Sequence, residues 1–304
     1  MVKAQKRKTV VKKRNTRRIA ITKKTHKVTP IKKVRAQIKR RVASEVESKK
    51  FYVIANWKMN PTTLLKAEAL FGAIRDGSRL LKHAKTIVCP PFLYLNTLKD
   101  GYSGKKVAFG AQTCFVEEYG PFTGEVSAPM IKSVGGEYVI LGHSERRAMG
   151  ETDEDVRARA NSALSANLTP IICIGEHARD DDGEYLAVIK NQVHAIFYGM
   201  SRDWLRRVII AYEPIWAIGK TGKDAVTAHG LHETGMYIRK VLAEMFDKSI
   251  AIEQRILYGG SVKAENAAAL IDGTQVEGFL VGSASLNAEE FLKIIEAVES
   301  YAKK

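Results

Sequence analysis

The stretch Arg207-Val208-Ile209-Ile210-Ala211-Tyr212 runs directly into Glu213-Pro214, and it decides the fold. Its apolar residues occupy odd and even positions alike, so a strand built from it is covered on both faces. Strands buried on both sides are typical of a parallel sheet whose crossover connections are helices. The chain carries eight runs of this kind, near residues 52–56, 86–89, 106–110, 137–141, 169–174, 207–212, 255–258 and 277–281.

Amphipathic segments separate these runs, and they predict helices over residues 62–81, 153–167, 184–199, 226–246, 264–271 and 287–303. Eight strand-helix units in about 250 residues have the size of a closed (β/α)8 barrel, and this α/β fold is our prediction. A doubly wound open sheet would give the same alternation. The absence of G-x-G-x-x-G after the first strand speaks against that alternative.

The composition narrows the class of protein. The chain has 304 residues, 45% of them apolar, which excludes a mini-protein, a collagen-like fibre and a wholly disordered chain. Its three cysteines, Cys89, Cys114 and Cys173, show no metal-binding spacing and fit a reducing compartment, so we expect a cytoplasmic protein. No apolar run approaches the roughly 18 residues of a transmembrane helix, so no membrane partner is expected.

Positive charge is concentrated in the first fifty residues. Residues 1–50 contain 20 Lys and Arg residues against two acidic ones, whereas residues 51–304 contain 29 against 31. Residues 1–50 also lack Phe, Tyr and Trp, so they have too little apolar area to offset ordering entropy and charge repulsion. We therefore predict a disordered basic extension at residues 1–50 and a barrel domain at residues 51–304.

Such an extension suits nonspecific contact with RNA or another polyanion, because each cation that neutralises a phosphate releases a counterion. The lack of aromatic residues argues against base stacking. Four alternatives stay open: a solvated tail, a targeting segment, a misassigned start codon, and an interaction protein whose barrel only carries the extension.

The carboxyl ends of the predicted strands are where a barrel of this kind places its chemistry. Asn56 and Lys58 share a face after the first strand, His143 and Glu145 share a face after the fourth, and Glu213 follows the sixth. A lone Lys, His or Glu at a strand end is usually structural or solvated. A Lys, a His and a Glu that meet at one mouth suit the movement of a proton beside a carbonyl group.

Glycine-rich loops follow the last three strands, at residues 218–222, 259–261 and 282–283. Backbone N–H groups of such loops can approach an anion closely, so the set predicts a phosphorylated substrate. Two other enzyme classes share part of this pattern. A glycosidase would use two carboxylates but has no need of the Lys or the phosphate loops. An aldolase would use Lys58 to form a Schiff base.

At these residues the sequence resembles the triosephosphate isomerase family, whose fold is the (β/α)8 or TIM barrel. The resemblance covers essentially all of residues 51–304. Its motifs are Asn56-Trp57-Lys58-Met59-Asn60, Gly110-Ala111-Gln112, Phe122-Thr123-Gly124-Glu125, Leu141-Gly142-His143-Ser144-Glu145-Arg146-Arg147, Cys173-Ile174-Gly175-Glu176, Ala211-Tyr212-Glu213-Pro214-Ile215-Trp216-Ala217-Ile218-Gly219, Tyr258-Gly259-Gly260-Ser261-Val262 and Gly282-Ser283-Ala284-Ser285-Leu286.

The resemblance implies a role for each residue of the predicted site. Glu213 would be the base that moves a proton between adjacent carbons, and neutral His143 would donate a hydrogen bond to the enediolate. Lys58 would supply fixed positive charge, and Asn56 a hydrogen bond. Supporting roles are implied for Ser144 and Glu145. Neither a metal nor an organic cofactor is implied, and the substrate is a small phosphorylated triose of glycolysis and gluconeogenesis.

The resemblance also implies a lid over residues 214–222 and phosphate contacts from backbone N–H groups. The phosphate contacts fall on Gly219, Ser261, Gly282 and Ser283. Two departures from the family pattern stand out: the lid hinge reads Lys220-Thr221-Gly222-Lys223, and Ser283 replaces a usual glycine. Serine would be strained there if the backbone needs a positive φ, and would serve equally well if it does not.

Partner contacts follow from the same resemblance. The loop at residues 112–125 is similar to the arm that family members insert into a neighbouring subunit, with Thr123 approaching the neighbour's active site, so a homodimer is expected. The turn after Arg147 is one residue short, and a further acidic support would fall on Glu151. An ordinary surface loop is the alternative for residues 112–125, although loops of this length are usually functional.

Overall fold

The structure is a computed structural model that describes residues 51–180, 182–220 and 226–303. The basic extension at residues 1–50, with its predicted disorder and polyanion contact, lies outside the described residues. So do Thr221, Gly222 and Lys223 of the lid hinge.

Eight parallel strands close into a barrel in the order of the chain, which confirms the predicted (β/α)8 fold. The strands are β1 (Phe51–Asn56), β2 (Ala84–Cys89), β3 (Val107–Ala111), β4 (Tyr138–Leu141), β5 (Thr169–Ile174), β6 (Ile209–Tyr212), β7 (Arg255–Tyr258) and β8 (Gly278–Val281).

Closure joins β1 to both β2 and β8, with Tyr52 opposite Gly278. Gly278 has a φ of 129°, and a Cβ atom there would overlap the carbonyl oxygen of Tyr52. The last strand can therefore reach the first only with glycine at this position.

Eleven α-helices accompany the strands in the described part of the chain. They are α1 (Leu64–Gly77), α2 (Phe92–Asp100), α3 (Ala128–Ser133), α4 (Ser144–Ala148), α5 (Asp153–Ser165), α6 (Glu184–Phe197), α7 (Arg202–Leu205), α8 (Ala228–Met245), α9 (Lys248–Glu253), α10 (Ala267–Asp272) and α11 (Ala288–Tyr301). The six predicted helices are confirmed as α1, α5, α6, α8, α10 and α11. The other five were not predicted. Nowhere in the three described ranges is a helix both long enough and apolar enough to cross a membrane.

Both faces of the strands are buried, as the apolar runs predict. Ile54, Ile140 and Leu257 point into the barrel, whereas Val53 and Ile210 face the surrounding helices. The barrel is thus a rigid core from which the loops after the strands project, and rigid placement is what a site assembled from several loops needs.

Candidate active site

A cavity of about 300 Å³ opens at the carboxyl ends of the strands. The structure brings to it every residue that was predicted from the sequence to act in catalysis or in substrate binding. These residues are Asn56, Lys58, His143, Glu213, Gly219, Ser261, Gly282 and Ser283. The cavity is also lined by Asn60, Ile218, Gly259, Gly260, Val262, Lys263, Leu280 and Leu286.

Glu213 directly follows β6 and is only 2% exposed. Its Oε2 accepts a hydrogen bond from the backbone N–H of Ser144 at 3.1 Å. Its Oε1 lies 3.5 Å from Nε2 of His143. Two glycines leave room for this residue: a Cβ atom on Gly175 would overlap its carbonyl oxygen, and one on Gly259 would lie 2.7 Å from its Cγ. The carboxylate is therefore closely confined at the base of the cavity.

His143 precedes α4, and its ring presents Nδ1 to the backbone of Glu145 and Nε2 to Glu213. Its Nδ1 accepts a hydrogen bond from the backbone N–H of Glu145 at 3.2 Å. A ring nitrogen that accepts a hydrogen bond carries no proton of its own. In this geometry the single N–H of the ring is therefore at Nε2. The ring therefore presents an N–H donor to the cavity.

Lys58 follows β1 with a φ of 52°, an uncommon conformation for a residue other than glycine. Its backbone N–H donates to Oδ1 of Asn56 at 3.0 Å, and its ammonium group donates to Oε1 of Glu145 at 2.7 Å. Nε2 of Gln112 donates to the carbonyl oxygens of Lys58 and Cys89. Gln112 thus fixes the strained turn. In the sequence, Gln112 is only one residue of the motif Gly110-Ala111-Gln112. Its position directly after β3 is the signal that could have identified it as a residue of the site.

Cys173, on the inner face of β5, adjoins the Glu213 carboxylate. Burial raises the pKa of its thiol well above the usual range, and the negative charge of Glu213 raises that pKa further. The thiol is therefore neutral beside the carboxylate.

Glu151, onto which the family resemblance carries a further acidic support, lies in the turn between α4 and α5. Its Oε2 accepts the backbone N–H of Gly142 at 3.0 Å. Its Oε1 lies 3.2 Å from Nε of Arg146 and 3.2 Å from Nε of Arg159. This buried carboxylate therefore ties the β4 loop to α4 and α5.

Each of the three glycine-rich loops contributes residues to the lining of the cavity, among them Gly219, Ser261 and Ser283. The N–H of Gly219 donates to Oγ of Ser261 at 2.6 Å, and that hydroxyl donates to the carbonyl oxygen of Ala217 at 3.1 Å. Ser283 begins a 3₁₀ turn, Ser283–Leu286, and it is not among the non-glycine residues with positive φ. The serine at position 283 is therefore accommodated without backbone strain.

Thr123 does not line the cavity of this chain and is exposed to solvent. It lies in the 112–125 loop, where the Phe115 and Phe122 rings are 4.6 Å apart. Arg159 donates to the carbonyl oxygen of Cys114 at 2.8 Å and so holds the base of the loop. Among the residues described, no group of three or more His, Cys, Asp or Glu side chains could hold a metal ion.

Comparison with known proteins gives a consistent result. Residues 51–298 match the family model described as triosephosphate isomerase. A triosephosphate isomerase from Roseiflexus sp. (strain RS-1) is 43% identical over 244 residues, which are 79% of this chain and 94% of that protein. One from Alkaliphilus oremlandii (strain OhILAs) is 43% identical over 80% of this chain and 97% of its own length. One from Coprinopsis cinerea is 42% identical over 82% of this chain and 98% of its own length.

Proposed function

The chain belongs to the triosephosphate isomerase family, and from that premise we propose that it interconverts glycerone phosphate and D-glyceraldehyde 3-phosphate. The observation that carries the proposal is the meeting of Lys58, His143 and Glu213, from three separate strands, at one cavity with the glycine-rich loops. An isomerase of this family acts in glycolysis. A part in gluconeogenesis and a cytoplasmic location are further expectations.

Glu213 is the proposed base. Its carboxylate would remove a proton from the carbon beside the substrate carbonyl and return it to the neighbouring carbon, so one group serves both half-reactions. Burial supports this role, because a carboxylate shielded from water gives up little hydration when it accepts a proton. The Ser144 N–H holds Oε2, which leaves Oε1 on the side of His143.

His143 is the proposed electrophile. With Nδ1 occupied by the Glu145 N–H, its Nε2–H can donate to the oxygen that becomes negative as the proton leaves carbon. Because Nδ1 carries no proton, the ring can donate from Nε2 without first losing one. The hydrogen bond from Glu145 N–H thus supports a neutral imidazole in the reaction.

Lys58 and Asn56 would stabilise the negative charge at the rim of the cavity. The Asn56 side chain orients the turn that carries Lys58, and Gln112 fixes the same turn from β3. Phosphate would bind the backbone N–H groups of the loops after β6, β7 and β8. The residues proposed for these contacts are Gly219, Ser261, Gly282 and Ser283. A lid over residues 214–222 would then exclude water from the enediolate.

A homodimer through the 112–125 loop is part of the same proposal. Three large apolar side chains of this one loop, Val116, Tyr119 and Phe122, are exposed in a single chain. Several exposed apolar side chains in one surface segment are typical of a protein interface. Thr123 would approach the active site of the partner.

For residues 1–50 we propose contact with RNA or another polyanion. The support is their charge, 20 basic residues against two acidic ones, beside a barrel domain that is nearly neutral. This function would coexist with isomerase activity.

Substitution Glu213→Asp tests the enzymatic proposal. The carboxylate retreats by one methylene, and displacement of a reacting group by about 1 Å costs about a hundredfold in rate. Turnover in a coupled assay should fall by about that factor, while competitive inhibition by inorganic phosphate should be unchanged. Glu233→Asp, the same change on the exposed face of α8, is the control. Normal turnover in Glu213→Asp, or an inactive wild-type protein, would refute the proposal.

A further inference from the structure

Arg179 lies outside the cavity, in the segment between β5 and α6, and no sequence motif pointed to it. Its guanidinium group lies over the ring of Tyr185 at 4.5 Å and over the ring of Trp216 at 5.5 Å. It also donates to Oγ1 of Thr234, on α8, at 2.7 Å. One side chain therefore connects α6, α8 and the segment that follows β6.

Glu176, three residues before Arg179, is 1% exposed. Its Oε1 accepts hydrogen bonds from the Tyr212 hydroxyl at 2.8 Å and from Nε1 of Trp216 at 2.7 Å. Nε of Arg179 is 3.9 Å from the same oxygen, which makes Arg179 the cation paired with this carboxylate within the described ranges. A buried carboxylate depends on such a cation, because an uncompensated charge in the interior is strongly unfavourable.

Trp216 belongs to the 3₁₀ turn Ile215–Ala217, which leads into the cavity. Ala217 accepts a hydrogen bond from Ser261, and two residues later Gly219 donates to the same hydroxyl. The turn is thus fixed on the cavity side by Ser261 and on the opposite side, through the Trp216 ring, by Glu176 and Arg179. The position of the Gly219 N–H depends on both sides.

We propose that Arg179 is a positioning residue for phosphate recognition: it holds Trp216 against Glu176 and thereby sets the position of the Gly219 N–H in the cavity. The inference rests on the proposed function in one respect, the assignment of Gly219 to phosphate. The planar guanidinium group can stack on two rings while it donates sideways to Thr234, and a lysine ammonium group cannot do both. Lysine would therefore keep the charge beside Glu176 and lose the stacking.

The test compares Arg179→Met and Arg179→Lys with Arg157→Met. Arg157 is a matched control, because it is also half-buried and donates to a backbone oxygen of α6, that of Ala195, without contacting Trp216. Three quantities are measured on the full chain: the Kd of inorganic phosphate, kcat and KM for the triose phosphates, and the emission of Trp216, obtained by difference against Trp216→Phe.

Arg179→Met should weaken phosphate binding and raise KM by about tenfold, as expected when one hydrogen bond to a charged ligand is misplaced. The kcat should change by less, and the Trp216 emission should shift to the red. Arg179→Lys should lie between this variant and the wild type, and Arg157→Met should match the wild type.

Unchanged phosphate affinity and unchanged Trp216 emission in Arg179→Met would overturn the inference. If Arg179→Met does not fold, the same two results for Arg179→Lys would overturn it. Phosphate binding and fluorescence need no turnover, so a wild-type protein without isomerase activity would refute the proposed function and leave this test intact.

Discussion

Gly259, directly after β7, offers a way to displace the proposed base without touching it. A Cβ atom added there would lie 2.7 Å from Cγ of Glu213 and 3.3 Å from its Oε1. Carbon atoms in favourable contact are about 3.5–4.0 Å apart, so Cγ must retreat by about 1 Å. Gly259 is not among the residues with positive φ, so alanine introduces a steric push and no backbone strain.

The size of the effect follows from this displacement. A misplacement of about 1 Å in a reacting group lowers a rate by about a hundredfold, equivalent to about 2.7 kcal/mol of transition-state stabilisation. Gly259 lies in one of the loops proposed to bind phosphate, but the close contacts of the added Cβ are with the Glu213 side chain, so Gly219, Ser261, Gly282 and Ser283 are not displaced directly. Gly259→Ala should therefore lower kcat about a hundredfold and change the inhibition constant of inorganic phosphate by less than about threefold.

The assay is steady-state isomerisation in both directions, together with thermal unfolding. Gly235→Ala is the control, because this glycine lies within α8 with no heavy atom within 4 Å of an added Cβ. That variant should keep full activity and gain about 0.5–1 kcal/mol of stability. A folded Gly259→Ala enzyme with wild-type kcat would show that the position of Glu213 does not limit the reaction.

Four further predictions concern other parts of the chain. Burial disfavours the charged form of Glu299, but the N–H groups of residues 82–84 donate to its carboxylate and hold its pKa below the usual range. That contribution is complete above the unfolded pKa of about 4.3 and is lost as pH falls through the folded pKa, so the Tm advantage over Glu299→Gln should shrink on acidification from pH 5 to pH 3. Ser283→Gly should leave the inhibition constant of phosphate within about twofold, since the serine is unstrained, and a tenfold change would contradict this. Tyr119→Asp should shift a dimer toward monomers in sedimentation experiments, whereas Leu80→Asp, equally exposed and outside the 112–125 loop, should not. Removal of residues 1–50 should abolish retention of single-stranded RNA without loss of isomerase activity, and the log-log salt slope of the full chain should be about −4 for six neutralised phosphates.

The strands could be predicted because apolar residues occupy their odd and even positions alike. Two strands begin two residues away from the predicted start, and each difference has a physical cause. β2 begins at Ala84, two residues earlier than predicted, because Lys85 lies inside the end of the barrel with its ammonium group 5.0 Å from the centre of the Tyr138 ring. β6 begins at Ile209, because the N–H of Val208 donates to Leu205 in the preceding turn. Neither contact can be read from local hydropathy.

The site could be predicted as far as it lies at strand ends, where position along the chain determines position in space. Residues that act through distant contacts could not be found in this way. Gln112 bonds to Lys58 across 54 positions, and Arg179 bonds to Thr234 across 55. Their partners are known only once the barrel has closed, so an amide and a guanidinium group remained ordinary polar residues in the sequence.

The charged groups of the cavity differ in their exposure to water. This difference separates the binding of negative charge from the transfer of the proton. The Lys58 and Glu145 side chains are 31% and 55% exposed, and an ion pair so exposed has little net strength. We therefore expect an incoming anion to displace Glu145 from Lys58 at small cost. The Glu213 side chain is 3% exposed, and the neighbouring Cys173 thiol stays neutral because burial raises its pKa. Negative charge would then be received at the rim and the proton at the base of the cavity, so each group meets the part of the substrate that its environment favours.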